Sequence, residues 1–143
     1  MTLLITARDR LQRARGLASV LDAACDAFED ILAVIGAYEE TTTSAGTAIA
    51  FLLVATQAAN GRDAVLFAPS LPPRSLHPRQ APVPPERGSA GKIKASVAGL
   101  SLLLASQLAG AATTAGAGAD QAACHDAARC ARTVHDLLAG ADR

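Results

Sequence analysis

Residues 69–88 read PSLPPRSLHPRQAPVPPERG and hold every proline of the chain: Pro69, Pro72, Pro73, Pro78, Pro82, Pro84 and Pro85. Proline lacks a backbone donor and collides with the preceding helical turn, so no helix runs through this stretch. On both sides of it, apolar residues recur at helical spacing. The 143-residue chain therefore reads as one all-α domain: two helical hairpins, 6–68 and 89–140, joined by a stiff tether over 69–88. Folded together, the hairpins are expected to form an antiparallel four-helix bundle.

Toward the amino end, Leu4, Ala7, Leu11, Ala14, Ala18, Leu21, Cys25, Phe28, Leu32 and Ile35 follow one another at steps of three and four. This predicts a single helix from about 6 to 40, roughly 50 Å long at 1.5 Å per residue. Thr6 is placed to cap it, with Asp9 returning the hydrogen bond. Its charges run against the helix macrodipole: Arg8, Arg10, Arg13 and Arg15 come first, and Asp22, Asp26, Glu29, Asp30, Glu39 and Glu40 follow. An antiparallel second copy, acidic half on basic half, is one arrangement that rewards such an order.

Thr41 to Ser44 predict a break that caps a second helix from about 44 to 60, reaching Phe67 if Asn60-Gly61 does not end it. With Thr47, Thr56 and Gln57 as its few polar residues, that helix is expected to be buried nearly all round. Beyond the tether, Ser89 is placed to cap a third helix ending near Ala109. One of its faces carries Ala95, Ala98, Leu102, Ala105 and Ala109, and another Ile93, Val97, Leu100, Leu104 and Leu108. Residues 110–119, rich in glycine, alanine and threonine, predict a flexible connection. The last helix, about 120–139, buries Ala123, Ala127, Cys130, Val134 and Leu137 and wets His125, Arg129, Arg132 and Asp136. Phe51–Gln57 and Ser101–Gln107 echo one another fifty residues apart, as two similar hairpins would.

Composition excludes several classes. The formal net charge is zero, so a general DNA binder is not expected. The opening MTLLIT run meets Arg8, Asp9 and Arg10 and is too short for a secretory core. Cys25, Cys124 and Cys130 suit reduced thiols in a cytoplasm, and the excess of arginine over lysine matches a high-GC, bacterial coding sequence.

Motifs that carry chemistry are few. Cys124, His125, Cys130 and His135 cluster on the last helix, but Cys124 and His135 lie about 16 Å apart along its axis and Cys130 leaves from another face, so no metal site is expected. Asp22, Asp26, Glu29 and Asp30 form an acidic ridge without the glutamate–histidine pairing of carboxylate-bridged metal bundles. Gly88-Ser89-Ala90-Gly91-Lys92 lacks the glycine spacing and the hydroxyl of a phosphate loop, leaving at most a weak anion hold at a helix start through Ser89, Lys92 and Lys94. Pro69-x-x-Pro72-x-Arg74 and Pro82-x-x-Pro85-x-Arg87 have the shape of polyproline ligands, but a semi-rigid spacer is the favoured account of them. The surplus of Arg74, Arg79, Arg87, Lys92 and Lys94 over Glu86 is expected to attract the acidic ridge. Residues 41–61 and 95–119 carry no charge and are each long enough for a membrane-embedded hairpin, though Thr, Gln, Ser and Gly within them oppose it.

Arg129, followed after five residues by His135, resembles the arginine-to-histidine motif of the HEPN family of compact all-helical domains. That resemblance implies RNA cleavage at a dimer interface, with His135 as general acid or base and Arg129 steadying phosphate charge. Cys130 stands where that family often has a polar residue.

The residues themselves favour a non-catalytic interaction or assembly protein, with no cofactor, forming a homodimer or binding a helical protein partner. The expected contact row is Ile93, Val97, Leu100, Leu104 and Leu108, apolar surface beyond what one bundle needs. An RNA-cleaving domain and a membrane hairpin are the alternatives.

Overall fold

Gly16, with φ at +84°, divides the long amino-terminal helix that the periodicity predicts. The computed structural model describes residues 2–39, 44–74, 90–116 and 118–140. Among them the chain is all-helical, with five helices rather than four: α1 (Thr2–Arg13), α2 (Leu17–Glu39), α3 (Ala45–Leu66), α4 (Ala90–Ala115) and α5 (Ala119–Gly140). The expected break at Thr41–Thr43, the Ser89 cap, the tether from residue 75 to 88 and the Pro82–Arg87 motif lie outside the described residues.

The division resolves the charge order of the first segment. Once the helix stops at Arg13, Arg10 and Arg13 occupy the last turn of α1, where bases complement the macrodipole. Arginines misplaced at the start of one long helix are thus well placed at the end of a short one. The last carbonyls of α1 find donors: Arg15 Nη1 reaches the carbonyl oxygens of Gln12 (2.7 Å) and Ala14 (2.8 Å), and Gln107 Nε2 from α4 donates to that of Leu11 (3.0 Å). Such partners replace the hydrogen bonds a helix end leaves unmade. Leu4, Ala7, Leu11 and Ala14 are buried, and α1 packs against both α2 and α4. Thr6 lies inside α1 and is not its cap.

The four longer helices each border two others in the cycle α2, α3, α5, α4. Ser44 caps α3 as expected, its Oγ accepting from Thr47 N at 3.3 Å. Asn60-Gly61 does not end that helix, which continues to Leu66. Gly61 serves packing instead: a Cβ there would lie 2.5 Å from the ring of Phe28, a fully buried side chain of α2. At the far end of the same pair, the Tyr38 and Phe51 rings meet edge to face with centroids 6.3 Å apart. The stretch expected to be a flexible connection at 110–119 is mostly helix. Ala111 and Ala112 are buried at the end of α4, and Gly116 and Gly118, both at positive φ, make the tight turn into α5.

Ser70 at the end of α3 hydrogen-bonds Asp120 in the first turn of α5, and the short turn brings the end of α4 to the same place. The carboxyl ends of α3 and α4 therefore share one end of the molecule, and α3 ends at the opposite end from where α4 begins. A crossover follows from that topology, which is why these helices are not joined by a short loop.

Candidate interaction site

Arg74 is held by the acidic ridge of α2, as the charge surplus of the tether predicts. Its Nη1 donates to Asp22 Oδ1 (3.1 Å) and to the Asp22 carbonyl (3.4 Å), its Nη2 donates to Asp26 Oδ1, and Glu29 Oε1 lies 4.0 Å away. From the other side, Arg10 of α1 pairs with Asp26 and lies 3.8 Å from Asp22. Two arginines distant in sequence thus clamp two carboxylates one helical turn apart. Burial acts to raise the Asp26 carboxyl, but the hydrogen bond from Arg74 and the charges of Arg10 and Arg74 outweigh it and hold the group below its ordinary value. The same balance runs the other way for Arg74: burial opposes its charge, and the hydrogen bond to Asp26 together with the other acidic groups around it more than restores it.

This clasp fastens the start of the proline-rich segment at two points. Ser70 N donates to Asp120 Oδ1 at 2.9 Å and Ser70 Oγ to Asp120 Oδ2 at 2.5 Å; four residues on, Arg74 enters the ridge. Leu71 packs against the core between them. With Arg74 engaged inside the molecule, the first Pro-x-x-Pro-x-Arg motif does not present its arginine to an outside groove.

The predicted contact row is corrected. Ile93, Val97, Leu100, Leu104 and Leu108 are all buried in the chain's own core, because α1, α2 and α5 surround that face of α4. They are unavailable to a partner. Ser101 lies among them, fully buried, with its Oγ unpartnered.

The exposed apolar surface lies instead on α3, the helix expected to be enclosed. Ile49 is 60 % exposed, Leu52 61 %, Leu53 46 %, Leu66 47 % and Phe67 83 %. α3 touches α2 and α5 and leaves its outer face open. Sequence reasoning missed this face because its signal is absent: a surface helix normally declares itself by polar residues, and residues 44–61 carry no charge on either side. On α4, Leu102 is also exposed.

Arg129 and His135 both lie on α5. Arg129 is bound to Asp126 at 2.6 Å, and His135 Nδ1 lies 3.2 Å from Asp136 Oδ1. Six residues apart on one helix, they point about 120° away from each other with a rise of about 9 Å, and the fold does not bring them together. Of the cysteine and histidine cluster, Cys124 is buried, Cys130 and His135 are half-buried and His125 is exposed. Among the described residues, no three His, Cys, Asp or Glu side chains come together as metal ligands. Burial raises all three thiols. For Cys25, burial together with Glu29 and Asp26 prevails over Arg74 and pushes the thiol to about 11. Among the described residues one helix, α4, is long and apolar enough to span a membrane.

Comparison of the chain with protein-family models, with curated proteins and with solved structures finds no match.

Proposed function

We propose that the chain is a non-catalytic assembly protein, a four-helix bundle of two hairpins flanked by α1, that associates with a second copy of itself. The observation that carries this reading is the exposed apolar face of α3, where Ile49, Leu52 and Leu53 stand in water together. Large apolar side chains clustered within one turn on a charge-free surface mark an interaction site. A second copy suits it because residues 44–61 of this helix carry no charge for a charged partner to recognise, and zero net charge leaves little repulsion between copies. Three cysteines without a disulfide suit a reducing cytoplasm.

Light-scattering mass in detergent-free buffer tests the reading. The wild type is expected at about twice 14.5 kDa, and Ile49→Asp combined with Leu52→Asp at the monomer mass with unchanged helical circular dichroism. Both positions are exposed, so the substitutions leave the core intact. A monomeric wild type at 100 µM would overturn the proposal, and a dimer that the double substitution leaves whole would remove α3 from it.

A further inference from the structure

The outer face of α3 reads almost the same in both directions. Ile49, Leu53, Thr56, Asn60, Asp63 and Phe67 follow at steps of four, three, four, three and four, and all six are exposed. Eighteen residues make five helical turns, so Ile49 and Phe67 stand in line about 27 Å apart. The row is apolar at both ends and polar at its centre. Turned end for end, the seam keeps its steps of three and four and matches Ile49 with Phe67 and Thr56 with Asn60, while Leu53 meets Asp63.

Resting on the self-association proposed above, we infer the register: α3 packs antiparallel on α3 of a second copy about a two-fold axis at the level of Ala58. Phe67 of each copy then seats on Ile49, Leu52 and Leu53 of the other, and Thr56 meets Asn60 at the axis, where the Asn60 amide donates to a Thr56 hydroxyl that itself donates to the Leu52 carbonyl at 3.0 Å. An isologous contact of this kind closes as a dimer and does not propagate. Two alternatives are worse on the same surface. A parallel pair sets Asp63 against Asp63, whereas the antiparallel register holds the two carboxylates about 15 Å apart. An antiparallel pair centred on Leu52 and Leu53 leaves Phe67, the most exposed large apolar side chain of the described chain at 83 %, bare in water.

The register places Leu53 of one copy opposite Asp63 of the other, a carboxylate that Arg62 of its own chain holds at 3.2 Å, so the sign of a charge at position 53 reports on how that ion pair is approached. Leu53→Arg gains a carboxylate across the interface; Leu53→Glu meets a like charge. Analytical ultracentrifugation of the full chain is expected to show Leu53→Arg dimerising within a few-fold of the wild type, and Leu53→Glu weakened by about tenfold, since Arg62 offsets part of the Asp63 charge. Adding Asp63→Arg to Leu53→Glu restores dimerisation, and Phe67→Ser weakens it at least about tenfold, as removal of a buried aromatic anchor does. Circular dichroism confirms that each exposed substitution leaves the helices formed. A dimer that Ile49→Asp disrupts but that is indifferent to Phe67→Ser and to the sign of the charge at 53 overturns the register and leaves self-association standing. A wild type that stays monomeric overturns both.

Discussion

Gly61 and Phe28 show how one missing side chain sets the distance between two helices. The Phe28 ring occupies the space a Cβ at 61 would need, so α2 and α3 approach closely at that level and the ring is fully enclosed. Gly61→Ala is expected to destabilise the fold by about 1–3 kcal/mol, the usual cost of overpacking a filled core, even though alanine favours helix by about 1 kcal/mol over glycine. Urea unfolding checks the sign: a more stable variant would mean that the ring moves aside without strain. Combining Gly61→Ala with Phe28→Leu should cost less than the sum of the two alone, since the smaller side chain removes the collision. The sequence alone offers the opposite reading, because Asn-Gly usually marks a turn; only the neighbouring ring shows what the glycine is for. Ser101 teaches the same lesson. It answers Phe51 in the internal echo, both are fully buried, and nothing in the spacing reveals that its hydroxyl goes without a partner.

At the scale of the element, the clasp joins α1, α2 and the segment after α3 through two carboxylates. Asp26 is the centre of it, paired with Arg10 and Arg74 and largely buried, its side chain 15 % exposed. Because its carboxyl is held below the ordinary value when folded, the stability it contributes is fully present above the unfolded value of about 3.9. That contribution is lost as pH falls through the folded value. Urea titrations of wild type and Asp26→Asn are therefore expected to differ by about 1–2 kcal/mol near pH 7, with the gap closing below about pH 4. A gap that stays constant down to pH 2 would show that the clasp does not hold the carboxylate. The ridge and the arginine surplus were both legible in the sequence, and so was their attraction. Their arrangement was not: the reversed charge order suggested a second copy, whereas a bend at Gly16 lets Arg10 reach Asp26 within one chain.

Across the whole molecule, the thiols report on the integrity of the core. Cys25 and Cys124 are enclosed and Cys130 half-buried, and burial raises all three. An aromatic disulfide reagent at pH 7.5 is expected to label Cys25 and Cys124 at least a hundredfold more slowly in the native protein than in 8 M urea, with Cys130 reacting first. Rapid native labelling of Cys25 would show that α2 opens at the clasp. Sequence by itself determined that this chain is helical, that prolines divide it between α3 and α4, and that α2, α4 and α5 each carry an apolar stripe, because periodicity and proline sterics are local properties; the exact members shifted, with Ala131 and Leu138 enclosed on α5 where Cys130 and Leu137 were expected. Tertiary structure alone decided which apolar face is left over. Leu100, Leu104 and Leu108 of α4 and Ile49, Leu52 and Leu53 of α3 are chemically alike; burial depends on how many neighbours a helix has, and α4 has three where α3 has two.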